Sequence, residues 1–222
     1  RRAHLNVYAR HGLMEEELEL VRDTYLVRRH RIERLQDELL VQTDQAQFTA
    51  WAELNFPSEY LEQFPTDDEI LDDLIRELEM LESWFVAEVV AEVDAAFLTD
   101  FLDRFQSEED YLKRRGHTRE VRRGARADPI HRKLKALFDS PGRATLDDIL
   151  DVWVTSPDIE NHLVSQFRQV LRARHWIAHG RPFMPDFRGL GNPDRVFQRS
   201  QALLQAFLSV VDEIPPLSWK HS

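Results

Sequence analysis

Apolar residues recur at every third or fourth position along most of this 222-residue chain, which is the spacing of amphipathic helices. One such run extends from Leu13 to about Val41, and the longest extends from about Asp67 to Phe105. Residues 46–65, between these runs, are rich in aromatic side chains and contain prolines, which predicts an irregular segment or a short helix packed by its rings. Together with the shorter runs further along, the pattern predicts an all-α fold, a bundle of about six helices.

Capping residues and helix breakers mark where these helices begin and end. Thr66–Glu69 has the capping-box sequence that opens the longest helix, and Ser107–Asp110 predicts the start of another short helix. Pro157–His179 is predicted to be one helix, with Gly180 as its C-cap and Pro182 preventing its continuation. Further helix starts are predicted at residues 128–129, 145–148 and 192–194.

The composition narrows the class of protein. The chain has only 7 glycines, which is typical of a helical protein. It has no cysteine, which excludes disulfides and thiolate metal sites and is typical of a cytoplasmic protein. No apolar run reaches the roughly 18–20 residues that span a membrane, and the first residues lack the apolar stretch of a signal peptide. We therefore predict a cytoplasmic protein without membrane contact, with a helical appendage in residues 1–66 and the bundle in residues 67–222.

The net charge of −11 is distributed unevenly along the chain. Residues 1–112 carry 28 acidic and 10 basic side chains, whereas residues 113–222 carry 12 acidic and 19 basic ones. This asymmetry predicts that a polyanion would meet the C-terminal half, although the acidic half could instead aid solubility or contact a basic partner. The basic run Lys113–Lys135 could guide nucleic-acid phosphates or be a solvated loop.

The predicted helix over Pro157–His179 carries the most unusual residue. At about 100° per residue, one face is an apolar stripe, formed by Ile159, Leu163, Phe167, Val170, Leu171 and Ile177. A second face is basic and contains Arg168, Arg172, His175 and His179. Arg174 lies near the middle of the apolar stripe, about 20° from Leu163. A guanidinium cannot be neutralised by losing its proton, so we expect Arg174 to have hydrogen-bond partners or an adjoining cleft.

Each of these residues also has a structural interpretation. His179 could be a helix-end histidine that the helix dipole favours. Arg174 could form an ion pair with the acidic N-terminal half, and Arg168 and Arg172 could be solvated. A second Arg-x4-His sequence, Arg126–His131, contains a proline and precedes a helix, so we interpret it as a chance match.

The residues Arg174-His175-Trp176-Ile177-Ala178-His179, followed by Gly180, resemble the signature of the HEPN superfamily. That signature is an arginine, a polar residue, three further residues and a histidine near a helix end. The likeness covers roughly residues 67–214, including the long helix before the motif, and residues 1–66 lie outside it. One branch of the family is regulated by an antitoxin that modifies a tyrosine two residues after the histidine. Because Arg181 occupies that position here, this form of regulation is not expected.

What the resemblance implies is metal-independent cleavage of RNA, giving 2′,3′-cyclic phosphate and 5′-hydroxyl ends, in a bacterial toxin–antitoxin, defence or stress system. His179 would be the general acid/base, Arg174 would bind the scissile phosphate, and His175 would orient the site or touch the substrate. Arg168, Arg172 and Arg181 would hold flanking phosphates. Histidine titrates near neutrality and arginine presents a planar fork to phosphate, so the residue types suit these tasks.

The same predicted helix also bears on which partners the protein has and on which other functions it could have. Residues five apart point about 140° away from each other on one straight helix, and the resemblance implies a homodimer in which motifs from both chains share a cleft. An antitoxin protein is a further partner that the resemblance allows, and no metal or other cofactor is predicted. The alternatives are a non-catalytic HEPN-type RNA-binding or scaffold protein and a helical DNA-binding regulator, although no helix-turn-helix is evident.

Overall fold

The computed structural model describes residues 2–115, 129–138, 144–156, 159–178 and 192–211. Within these ranges the fold is all-α, with eight helices and no strand. The helices are α1 (Arg2–Leu40), α2 (Gln45–Asn55), α3 (Ser58–Gln63), α4 (Asp67–Arg115), α5 (Pro129–Phe138), α6 (Leu146–Trp153), α7 (Asn161–Ala178) and α8 (Pro193–Val211). The all-α prediction is confirmed, and the described ranges alone contain more helices than the six or so expected.

The predicted capping residues act as expected at two helix starts. At α4 the Thr66 N–H donates to Glu69 at 3.1 Å, and the Glu69 N–H donates to the Thr66 hydroxyl at 3.3 Å. At α6 the Thr145 N–H donates to Asp148 at 2.9 Å, and the Asp148 N–H donates to the Thr145 hydroxyl at 3.3 Å. Both pairs satisfy backbone amides that have no partner inside the helix.

Two predicted boundaries are wrong. No new helix starts at Ser107, because α4 continues to Arg115 through a stretch that contains polar residues but no glycine or proline to interrupt it. The helix predicted to begin at Pro157 begins instead at Asn161. Ser156 still belongs to the turn that ends α6, since its N–H donates to the Trp153 carbonyl at 2.9 Å.

The chain forms two compact units, Arg1–Leu18 with Val86–Ser222, and Glu19–Phe85. In the unit Glu19–Phe85, α1 contributes a buried row at Tyr25, Ile32, Leu35 and Leu39. The segment predicted as irregular or shortly helical forms α2 and α3, and its rings pack in sequence from Phe48 to Phe64. The predicted domain boundary after residue 66 falls inside this unit and stays a prediction.

The other unit contains the helices that form the candidate site. Its core includes Phe207 of α8, which stacks on Phe97 of α4 with ring centroids 4.0 Å apart. Trp153 of α6 meets the Phe207 ring edge-on at 5.0 Å, and α7 packs against α8. The apolar stretch around Trp84–Ala96, predicted to be the central core helix, contributes buried residues at Val86, Val89, Val90, Val93 and Ala96. These contacts place α4, α6 and α7 around a common groove.

Candidate functional site

A groove of about 960 Å³ lies between α4, the N-terminal end of α6 and the second half of α7. Its charged side chains are Asp94, Asp147, Arg168, Arg172, Arg174 and His175, and its apolar lining includes Val90, Leu98, Leu146 and Leu171. Four of the six residues predicted from the sequence to form the site therefore share one cavity. His179 and Arg181 lie outside the described residues.

Arg174 lies in the apolar stripe of α7, yet its side chain is exposed. Phe167 and Val170, earlier in the same stripe, have no exposed surface. Arg174 lies instead at the groove, which the exposed, small side chains of Ala91 and Ala95 from α4 also line. The expected cleft beside Arg174 is therefore present, and it explains how a permanent charge can occupy this face of the helix.

Asp94 of α4 lies near Arg174 and was not identified from the sequence. Burial raises the pKa of Asp94, and the positive charge of Arg174 opposes that rise. The two side chains do not form an ion pair within 4 Å among the described contacts, and the Asp94 Oδ1 atom is enclosed without a hydrogen bond from any described residue. The one sequence signal was an acidic residue inside the otherwise apolar stretch Val93–Phe97.

Arg168 is held by two carboxylates of α6. Its Nε donates to Asp147 Oδ1 at 3.0 Å, and its Nη2 donates to Asp151. These bonds, first that to Asp151 and then that to Asp147, raise the pKa of Arg168, although partial burial opposes them. The Arg168 side chain is 30% exposed. Much of its capacity to bind a phosphate is therefore already used within the protein.

Arg172 and His175 are both exposed on the groove side of α7. Arg172 also lines a second cavity of about 280 Å³, together with Asn161, Ser165 and Gln169. No ion pair or hydrogen bond holds the Arg172 guanidinium within the described part of the chain. Of the two described arginines predicted to hold flanking phosphates, Arg172 is thus better placed than Arg168 to bind an anion.

The side chains that line the groove indicate which chemistry it can support. In the described ranges, no three histidine, aspartate or glutamate side chains cluster in an arrangement that could hold a metal ion. None of the helices searched there is long and apolar enough to cross a membrane. The groove offers cationic side chains, an imidazole and a half-buried carboxylate, which are groups for binding anions and moving protons.

Comparison with known proteins gives no match, whether with family models, with curated protein sequences or with solved structures. In its described residues the chain is an all-α protein with a charged groove that Arg174 and His175 of α7 line.

Proposed function

We propose that this protein is a cytoplasmic, metal-independent endoribonuclease of the HEPN type that acts in a bacterial toxin–antitoxin, defence or stress system. The observation that carries the proposal is the position of Arg174, a permanent cation exposed in a groove at the start of the Arg-x4-His sequence. Arg172 and His175 line the same groove. These side chains form a surface that suits binding of a phosphodiester and proton transfer to and from the oxygens that attack and leave its phosphorus.

The proposed reaction assigns one task to each motif residue. Arg174 binds the scissile phosphate and stabilises the charge that develops on its oxygens in the transition state. His179 takes the proton from the 2′-hydroxyl as a general base or donates a proton to the leaving oxygen as a general acid. His175 orients the site or touches the substrate, and Arg172, Arg181 and, to a smaller extent, Arg168 hold flanking phosphates.

A homodimer is part of this proposal. Arg174 and His179 are five residues apart, so a straight helix directs them about 140° away from each other. A second copy of the chain that meets the first at α7 brings its histidine to the groove that Arg174 lines. Two composite sites then form, each with an arginine from one subunit and a histidine from the other.

The second candidate is a non-catalytic HEPN-type protein that binds RNA or acts as a scaffold. Asp94 favours it, because a carboxylate from the acidic half of the chain lies near Arg174, although the two do not form the ion pair that the structural interpretation of this arginine expected. On this interpretation, the charge of Asp94 mainly balances that of Arg174.

The experiment that separates these functions is incubation of the purified protein with total RNA in EDTA, beside Arg174→Ala and His179→Ala. The proposed function predicts cleavage that both substitutions abolish. RNA binding without cleavage by the unmutated protein favours the scaffold. Tight binding of duplex DNA that survives both substitutions would indicate a DNA-binding regulator instead. Arg76→Ala, on α4 outside the groove, is the matched control for loss of one positive charge.

A further inference from the structure

We infer that Asp94 is the general base of the proposed ribonuclease and accepts the 2′-hydroxyl proton of the nucleotide whose phosphate Arg174 binds. This inference rests on the proposed function. It adds to the reaction a residue of α4, which lies outside the Arg-x4-His sequence. The geometry that supports it is the shared groove, in which Asp94 and Arg174 line one cavity from two different helices.

The surroundings of Asp94 preserve its basicity. Hydrogen bonds to a carboxylate stabilise the charged form and weaken it as a base. The enclosed Oδ1 atom receives no such bond from any described residue, and burial raises the pKa of Asp94. The positive charge of Arg174 opposes this rise in the pKa of Asp94 and so favours the ionised form. In the proposed step the other oxygen, Oδ2, takes the proton, because Oδ1 is closed off from a ligand.

Two other carboxylates, Asp147 in the groove and its neighbour in sequence Asp148, are poorer candidates. Asp147 is 67% exposed and accepts a hydrogen bond from Arg168. Asp148 belongs to the cap of α6, where hydrogen bonds from Thr145 lower the pKa of Asp148. In each of these carboxylates an oxygen already accepts a hydrogen bond within the protein, so neither is well placed to take a proton from a hydroxyl group. Asp94 is therefore the carboxylate of the groove that fits this task.

The reaction step balances without any further reagent. The 2′-hydroxyl proton passes to Asp94 as the 2′-oxygen forms a bond to phosphorus. The bond between phosphorus and the 5′-oxygen then breaks, and His179 donates a proton to that oxygen. The products are a 2′,3′-cyclic phosphate and a 5′-hydroxyl, and the proton on Asp94 exchanges with solvent as His179 is reprotonated.

The test is the pH dependence of kcat/KM on a short single-stranded RNA in EDTA, for the unmutated protein and for Asp94→Asn. The charged groups that share the groove with Asp94, and whose titration or field can enter this profile, are Asp147, Arg168, Arg172, Arg174 and His175. A general base commonly contributes about 100-fold or more to a rate. In the unmutated protein kcat/KM should fall at low pH, where the base is protonated, and this fall is the acidic limb of the profile. We expect Asp94→Asn to lower kcat by about that factor, to leave KM nearly unchanged, and to abolish the acidic limb.

Matched variants separate this role from a structural one. Asp94→Glu should retain the acidic limb at a reduced rate, and Glu88→Gln, which removes one acidic charge from α4 outside the groove, should behave like the unmutated protein. In the free unmutated protein, carbon-13 NMR of the Asp94 carboxyl should give the same pKa as the acidic limb of kcat/KM. This measurement does not require the variant to fold.

The outcomes also distinguish this inference from the proposed function. If the unmutated protein cleaves RNA and Asp94→Asn retains the acidic limb, Asp94 is not the base, while the ribonuclease proposal stands. If the pKa of the Asp94 carboxyl measured by NMR differs from the pKa of the acidic limb, Asp94 is likewise not the base. If the unmutated protein does not cleave RNA, the proposed function is wrong, and the role of Asp94 is wrong with it.

Discussion

Arg168 and Arg172 lie about one turn apart on α7, and both line the groove, yet we expect them to contribute very differently to RNA binding. Arg168 donates to two carboxylates, whereas no such bond holds the Arg172 guanidinium among the described residues. A cation that is already neutralised within the protein replaces few counterions on RNA. Arg172→Ala should therefore weaken RNA binding more than Arg168→Ala does.

The size of the difference follows from counterion release. For a single strand, each neutralised phosphate contributes about 0.7 to the slope of log K against log salt concentration. Arg172→Ala should lower this slope by about 0.7, which over a fourfold change in salt corresponds to about a 2.6-fold change in relative affinity. Arg168→Ala should leave the slope nearly unchanged. Its main effect should be on stability, because partly exposed ion pairs contribute about 0.2–1 kcal/mol each.

The assay is fluorescence anisotropy of a labelled single-stranded RNA between about 50 and 200 mM salt. A double substitution, Asp147→Asn with Asp151→Asn, provides the control, because it releases Arg168 from its partners. In that background Arg168→Ala should lower the slope by about 0.7. Equal slope changes for Arg168→Ala and Arg172→Ala in the otherwise unmutated protein would refute the reasoning.

Three further predictions concern stability. Phe207 is 1% exposed and stacks at 4.0 Å on the Phe97 ring. Phe207→Ala should therefore lower the free energy of unfolding, measured in urea, by about 3–5 kcal/mol. A loss no greater than that of Phe207→Leu would contradict this packing. Thr145→Ala removes the cap shared with Asp148 and should cost about 0.5–2 kcal/mol, whereas Thr145→Ser should cost less. Burial, and then the charge of Glu17, raises the pKa of Glu92 above its ordinary value. The ionised Glu92 therefore destabilises the fold above its raised pKa, and Glu92→Gln should raise the thermal midpoint at neutral pH. That gain should shrink as pH falls towards 4.5, and a gain that does not change with pH would contradict the assignment.

Local features of the fold could be predicted from the sequence because they depend on neighbouring residues. The capping boxes at Thr66 and Thr145 satisfy amides three residues away, and the apolar period of α4 places its buried residues on the core side. The error at Ser107 has the same local origin. A serine followed by acidic residues favours a helix start, but a helix that is already formed passes through such residues at small cost.

The groove could be predicted only in part, because it depends on residues distant in the chain. The period of α7 placed Arg174 in the apolar stripe and predicted either hydrogen-bond partners or an adjoining cleft for it. The sequence could not identify Asp94, which is 80 positions earlier, or the pairing of Arg168 with Asp147 and Asp151. Both depend on how α4 and α6 pack against α7, and no short-range pattern encodes that packing.

The central claim is that Arg174 binds a phosphodiester that this protein cleaves without metal. The most direct measurement is single-turnover cleavage of a defined single-stranded RNA in EDTA, with the chemical nature of the new ends determined. We predict 2′,3′-cyclic phosphate and 5′-hydroxyl ends, no cleavage where the 2′-hydroxyl at the scission site is replaced by hydrogen, and loss of cleavage in Arg174→Ala. An intact RNA after prolonged incubation, or undiminished cleavage by Arg174→Ala, would contradict the claim.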